Sequence, residues 1–219
     1  MLKLVVAQPA DRPLRILCIG AHSDDIEIGA GGTIMSLLAA HPGAEVCWIV
    51  CASTAERQRE AEGSVRAFCV DAGNITTTIA GLPENVLPQH VLEVRELLDL
   101  HARPFQPDIV FCPHRDDLHQ DHRLLAEMAL QLFRDHPIFE YEIVKYDGDL
   151  HTPHVYIEID DALAARKVDL LFEHFPTQQS RTWFDREAFL GLMRLRGIEC
   201  NARYAEGFHV HKLVIGAKP

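Results

Sequence analysis

The sequence predicts an α/β protein built on a Rossmann-like, doubly wound and mostly parallel sheet flanked by helices. Short apolar segments alternate with amphipathic helical segments over about the first 135 residues, which predicts the parallel sheet. The final third breaks that alternation, which predicts a differently built C-terminal part. Strands covered on both faces read as unbroken apolar runs, and strand–helix alternation produces parallel sheets with right-handed crossovers.

The predicted elements follow each other in a regular order along the first two thirds of the chain. The predicted strands are 14–20, 45–52, 74–80, 108–112, 141–146, 154–160 and 208–217. The predicted helices are 29–40, 55–68, 91–102, 119–134, 161–175 and 185–196. Apolar side chains recur at helical spacing in the second set and in short continuous runs in the first.

One domain is expected, with a sheet core over about residues 14–140 and a substrate-facing C-terminal part, about 141–219, that covers the sheet as a cap. The chain has 219 residues and 47% hydrophobic content, which suits one globular domain. Its formal net charge of -11 disfavours nucleic acid as a partner, because phosphate binding needs a basic face. Without a transmembrane segment or a visible targeting segment, a cytoplasmic protein is expected.

Histidines and aspartates are concentrated in two segments, one after the first strand and one after the fourth. The six candidates are His22, Asp24, Asp25, His119, Asp121 and His122. In a doubly wound sheet of order 3-2-1-4-5, strands one and four are neighbours where the winding reverses, and ligands bind at the carboxyl ends there. The sequence therefore predicts that both segments contribute to one site.

The residue types in these segments suit a catalytic metal. Zinc enzymes use three protein ligands and leave one position open for water. His22, Asp25 and His122 supply two imidazoles and one carboxylate. Such a site makes a bound water acidic enough to react near neutral pH. The nitrogen-rich set favours Zn²⁺, and another divalent transition metal would also fit.

The neighbouring residues offer proton transfer and hydrogen bonding. Asp24 is a candidate general base, and His119, one helical turn before His122, is a candidate donor to a developing oxyanion. Asp121 could orient His119 and keep it protonated. Simpler interpretations exist: an aspartate before a helix often caps it, and histidines at a helix start are often solvated. The convergence of the two segments favours the metal site.

Three glycines at the start of the first predicted helix raise a second possibility, a phosphate-binding turn. Gly29, Gly31 and Gly32 do not have the GxGxxG spacing, and they lie inside the helix. They are expected to allow close packing of the helix against the sheet instead.

Two motifs carry a resemblance to a known family. AHSDDIEIGAGGTI (21–34) and PHRDDLHQDH (113–122) resemble the two signatures of the PIG-L/LmbE-like zinc-dependent de-N-acetylases. YEIVKYDGD (141–149) and RGIECNARYAEGF (196–208) extend it over most of the chain. Ser23 stands where the family usually has proline, and Ile26 where it often has an acidic residue.

The resemblance also implies roles for individual residues. It implies metal ligation by His22, Asp25 and His122, with Asp24 as general base and His119 at the oxyanion. It further implies substrate binding by Arg59, within an Arg59-x-x-Glu62 pattern.

The hypothesis from the sequence is a metal-dependent hydrolase that uses zinc-activated water to remove an acetyl group from an N-acetylglucosamine-type sugar or conjugate. Its partner would be this small-molecule sugar, and a homo-oligomer is compatible with the sequence. Two alternatives stay open: an amidohydrolase acting on a non-sugar N-acyl substrate, and an inactive metal-dependent sugar-binding module. Asp24 and His119 favour catalysis, because binding alone requires neither.

Overall fold

A computed structural model describes residues 3–215 and contains a seven-stranded sheet. The strands are β1 (Arg15–Gly20), β2 (Glu45–Ala52), β3 (Asn74–Leu82), β4 (Ile109–Pro113), β5 (Ile138–Tyr141), β6 (Val155–Ile159) and β7 (Tyr204–Val210). Their order is β3-β2-β1-β4-β5-β7-β6. The first five strands are parallel, and β7 runs antiparallel to both β5 and β6. The predicted doubly wound order 3-2-1-4-5 is confirmed.

Six α-helices cover the two faces of the sheet in the part of the chain that is described. They are α1 (Asp25–Ala40), α2 (Ala55–Phe68), α3 (Val91–His101), α4 (Gln120–Leu132), α5 (Asp161–His174) and α6 (Arg186–Cys200). Helices α3 and α4 pack on one face, and the other four pack on the opposite face. Between residues 3 and 215, no helix is long and apolar enough to cross a membrane.

The apolar run of β1 shows why its sequence has no polar alternation. Ile16 and Cys18 contribute to the core under α1, whereas Leu17 and Ile19 contribute to the core under α3 and α4. Because successive side chains of a strand point to opposite faces, a strand covered by helices on both sides must be apolar at every position.

The last third of the chain differs from the sequence prediction. The predicted strand at 141–146 is wrong, because β5 ends at Tyr141. Glu140 interrupts the apolar run of β5, so the sequence pattern does not indicate a strand there. The carboxylate of Glu140 is buried because His114 and Arg115, which are distant in sequence, contact it. The predicted strand at 208–217 starts earlier, at Tyr204, and ends at Val210; its last two positions lie outside the described residues.

Beyond residue 140, the chain both continues the sheet and covers it. Strands β6 and β7 extend the sheet, and α5 and α6 cover its face. The connecting segments 142–154 and 175–185 contribute some of the side chains that line a cavity at the edge of the sheet.

Helix α1 packs unusually close to its neighbours. A Cβ atom on Gly29 would lie 2.2 Å from Cδ2 of Tyr141, and one on Gly31 would lie 2.5 Å from Cε1 of Phe68. The expected close packing against the sheet is therefore confirmed at Gly29, whereas Gly31 packs against helix α2. The Tyr141 hydroxyl donates a hydrogen bond of 2.7 Å to the carbonyl of Ile19, near the end of β1. This contact ties the position of α1 to the strand that precedes it.

Gly29→Ala should destabilise the protein by about 1–3 kcal/mol, because the added methyl group overlaps the Tyr141 ring. Gly191→Ala is the matched control: it lies inside α6, where a Cβ atom meets nothing within 4 Å. That change should stabilise the protein by up to about 1 kcal/mol, because alanine favours the helix. Urea unfolding of both variants measures the difference, and similar effects would contradict the packing argument.

Candidate metal centre and active site

The segments that follow β1 and β4 meet at one edge of the sheet. The two strands pair in parallel with Ile16 opposite Ile109, so their carboxyl ends lie side by side. The imidazole rings of His22 and His122, 100 residues apart in sequence, have centroids 5.3 Å apart. The structure thus brings the two histidine-rich segments together at the point where the winding of the sheet reverses.

Three side-chain atoms at this edge have the spacing of metal ligands. His22 Nδ1 lies 3.2 Å from His122 Nε2 and 3.5 Å from Asp25 Oδ2. His122 Nε2 lies 3.3 Å from Asp25 Oδ2. Ligands bound to zinc at about 2.0–2.1 Å in a tetrahedron are about 3.3–3.4 Å apart. His22, Asp25 and His122 therefore form a group that could bind a metal ion.

Each imidazole of this group is held by a carboxylate at its other nitrogen. His22 Nε2 lies 3.1 Å from Asp121 Oδ2, and His122 Nδ1 lies 2.9 Å from Asp117 Oδ2. Such partners fix the orientation of a histidine ligand and increase its basicity. Asp117 was not identified from the sequence, although it lies in the second motif.

Strong charge interactions hold this group together. Burial lowers the pKa of both imidazoles, but the charge of Asp25 and hydrogen bonds to carboxylates outweigh it. The pKa of His22 rises to about 10 and that of His122 to about 9. Burial would raise the pKa of Asp25, because it disfavours the charged carboxylate. The charges and hydrogen bonds of His122 and His22 nevertheless hold this pKa well below its usual value. A metal ion that binds here must displace the protons of both imidazoles.

Asp24 has one paired and one free carboxylate oxygen. Its Oδ1 accepts a bond of 2.6 Å from Arg57, whereas Oδ2 is buried without a hydrogen-bond partner among residues 3–215. Burial raises the pKa of Asp24, and the positive charge of Arg57 opposes that rise. Asp24 occupies the N-cap position of α1 but makes no capping bond with its side chain. The Asp25 carboxylate bonds instead to the backbone of Ala21 and His22, so neither aspartate side chain caps the helix.

The predicted substrate contact at Arg59 needs correction. Arg59 lies on the exposed face of α2, whereas Arg57 is buried and lines the cavity above the metal group. Glu60, three residues after Arg57, accepts bonds from the backbone and hydroxyl of Thr177. Two positions along a helix correspond to a rotation of about 200°, so Arg57 and Arg59 point in opposite directions. Arg57, not Arg59, faces the cavity, and Glu60 bonds to the neighbouring segment at Thr177.

The surroundings of His119 also differ from the prediction. Its Nδ1 accepts a bond of 3.2 Å from the backbone N–H of Asp121, so Nε2 carries the proton and lies 3.0 Å from Asn85 Oδ1. Burial and the charges of His122 and His22 lower its pKa. The charge of Asp121 raises the pKa of His119, as expected, but burial and the two histidines outweigh it, and the Asp121 carboxylate bonds to His22.

Asn85 connects several of these groups and was not identified from the sequence. It adopts a positive φ of 66°, a conformation that asparagine tolerates better than most residues. Its backbone N–H donates 2.7 Å to Asp121 Oδ2, and its side-chain oxygen meets His119. The short loop after β3 thereby contributes to the site.

A cavity of about 340 Å³ opens onto the metal group and Asp24. This volume lies within the range of small-molecule sites, about 300–1,000 Å³. Its lining includes the aromatic rings of Tyr146 and Trp183 and the charged side chains of Arg57 and Glu84. The cavity is thus lined by apolar surface and by several hydrogen-bonding groups.

The profile of the PIG-L family, described as GlcNAc-PI de-N-acetylase, matches residues 17–133. The chain belongs to the PIG-L family. The match begins within β1 and ends just after α4, so both histidine-rich segments lie inside it.

Several solved structures share the fold over nearly their whole length. The conserved protein TT1542 from Thermus thermophilus has a TM-score of 0.72 at 22% identity, over 93% of this chain and 97% of that one. N,N′-diacetylchitobiose deacetylase from Pyrococcus horikoshii has a TM-score of 0.69 at 23% identity, over 90% and 84%. The 4-carboxy-2-hydroxymuconate hydratase from Pseudomonas putida KT2440 has a TM-score of 0.71 at 15% identity, over 94% and 99%. Proteins of this fold catalyse more than one reaction, so the residues of the site, and not the fold, determine the chemistry.

Asp117→Ala should weaken zinc binding by about 10–100-fold, because His122 loses the carboxylate that orients it. Asp116→Ala is the control, since the Asp116 side chain is 68% exposed and lies outside the metal group. Competition with a chromogenic chelator measures both affinities. Equal affinities in the two variants would show that Asp117 does not support the site.

Zinc binding at pH 7.5 should release about two protons per ion from His22 and His122, because the raised pKa values keep both imidazoles charged before the metal binds. This histidine contribution should fall toward zero as the pH rises through about 9 and 10, whereas the proton lost by a metal-bound water remains. The raised pKa values also stabilise the metal-free fold below the usual histidine pKa of about 6.5. That contribution is lost as the pH rises through the folded-state values. Calorimetry in buffers of different ionisation enthalpy counts the protons, and a release near zero at pH 7.5 would contradict these charges.

Proposed function

We propose that this chain is a metal-dependent hydrolase that removes the acetyl group from an N-acetylglucosamine-type sugar or sugar conjugate. The observation that carries the proposal is the free, buried Oδ2 of Asp24 beside the group of His22, Asp25 and His122. Membership of a family described as a de-N-acetylase supports the same reaction.

The donor set fits a zinc ion, held by His22, Asp25 and His122. When bound, the ion would supply Lewis acidity toward water and toward the amide carbonyl. Asp24 would act as the general base, accepting a proton from the attacking water at Oδ2. Arg57 occupies Oδ1, which leaves Oδ2 as the oxygen available for this transfer. Burial raises the pKa of Asp24, and a base is most effective when its pKa approaches the working pH.

His119 would stabilise the oxyanion as a neutral donor. Its protonated Nε2 now faces the side-chain oxygen of Asn85, and the substrate carbonyl would take that acceptor's place. A neutral imidazole keeps this N–H as the pH rises, whereas a protonated one would lose its charge. The proton held by Asp24 after attack can then pass to the leaving amine.

The cavity wall supports an amino sugar as substrate. Tyr146 and Trp183 offer ring faces, and Arg57 and Gln178 offer hydrogen-bond donors near the same opening. A few polar groups among apolar surface are typical of a site that orients a small polar ligand. An inactive sugar-binding module is disfavoured, because sugar binding requires neither a free Asp24 oxygen nor His119.

The decisive experiment measures free amine released from a panel of substrates by the zinc-loaded protein and by the chelated protein. The panel contains N-acetylglucosamine, N,N′-diacetylchitobiose, N-acetylglucosaminyl phosphatidylinositol and several N-acetyl amino acids. Zinc-dependent release from the amino sugars is expected. Release from the amino acids alone would favour the non-sugar amidohydrolase. Sugar binding without release would favour the inactive module.

Asp24→Asn should retain zinc and lower the turnover rate by about 10²–10⁴, the usual contribution of a general base. Asp116→Asn is the control, because the Asp116 side chain is 68% exposed and lies outside both the cavity lining and the metal group. Its turnover should stay close to wild type. Asp25→Asn should instead lose zinc. If Asp24→Asn lost the metal and Asp25→Asn retained it, the two roles would be reversed.

A further inference from the structure

The interior of α1 receives hydrogen bonds from an ion pair outside the helix. Glu206 of β7 accepts the backbone N–H groups of Gly32 and Thr33 at 2.9 and 2.7 Å. Lys167 of α5 donates to the carbonyl of Ile28 at 2.5 Å and to Glu206 at 2.6 Å. In a regular α-helix the N–H of Gly32 pairs with the carbonyl of Ile28. Here the ion pair contacts both of these groups.

This ion pair is buried, with Lys167 2% and Glu206 4% exposed. Buried ion pairs often contribute little net stability, because removing both charges from water is costly. The pair does supply three hydrogen bonds to α1. The middle of that helix contains Gly29, Gly31 and Gly32, and glycine is a poor helix former. The ion pair therefore fixes a stretch of helix that has weak intrinsic preference for its conformation.

The fixed stretch lies next to the residues of the proposed metal centre. Asp25 is the first residue of α1, and the backbone N–H of Ile28 donates 3.0 Å to the carbonyl of Asp24. Lys167 thus contacts the helix within one turn of both aspartates. His122 approaches Asp25 from α4, a different element, so the distance between them depends on where α1 lies.

We propose that Lys167 and Glu206 are positioning residues for the metal centre. They hold the first turns of α1 in the place where the Asp25 carboxylate reaches His22 and His122. The inference rests on the proposed metal-dependent function, and neither residue touches the metal group itself.

The test compares Lys167→Met with Arg196→Met. Arg196 is also buried and pairs with a buried carboxylate, Glu142, at 2.6 Å, but none of its side-chain hydrogen bonds reaches α1. Each variant removes the positive charge from a buried ion pair and keeps its carboxylate, so both variants should lower the free energy of unfolding. Only Lys167→Met should weaken zinc binding, by about tenfold or more, as loss of a supporting contact typically does. It should also alter the visible absorption spectrum of the Co²⁺-loaded protein.

A double variant separates positioning from stability. Lys167→Met/Glu206→Met removes both charges, so the stability lost in Lys167→Met should largely return. The hydrogen bonds to α1 do not return, and zinc affinity should therefore stay low. Recovery of affinity together with stability would overturn the proposal, as would wild-type affinity in Lys167→Met. If the wild-type protein bound no zinc, the proposed function itself would fail instead.

Discussion

The contact on which the site depends is the one between the buried Asp25 carboxylate and the two imidazoles of His22 and His122. A buried carboxylate is costly unless opposite charges and hydrogen-bond donors surround it. Here the histidines come from segments after two neighbouring strands, so the contact exists only when β1 and β4 pair. The alternation of acidic and basic groups continues outward on both sides. The resulting chain runs Asp121, His22, Asp25, His122, Asp117, Lys145 and Asp149.

The position of helix α1, which is set by its packing in the core, determines where the Asp25 carboxylate lies. Its glycines let it approach Tyr141 and Phe68, and its first turn presents the carboxylates of Asp24 and Asp25. The positive end of the helix dipole favours two acidic residues there. The same backbone therefore determines the position of one proposed metal ligand and of the proposed base. Small shifts of α1 would change both, and an ion pair from α5 and β7 is bonded to the interior of this helix.

The cavity lining comes from two kinds of element. The metal group lies at the ends of parallel strands, whereas Tyr146 and Trp183 come from the segments 142–154 and 175–185 that connect the C-terminal elements. Connecting segments tolerate change better than the sheet that carries them. A deacetylase and a hydratase share this fold at low identity, in agreement with the view that function is determined by the site. In this chain the free oxygen of Asp24 is the feature that favours hydrolysis.

The sequence by itself determined the doubly wound sheet, the neighbouring positions of the segments after β1 and β4, and the family. These follow from apolar runs and from motifs that are continuous along the chain. Only the tertiary structure decided that Arg57 rather than Arg59 faces the cavity, that Asp121 supports His22, and that β5 ends at Tyr141. Each of these depends on how a helix is rotated about its axis or on which distant side chain compensates a buried charge. Packing between elements sets both, and no local pattern of residues encodes them.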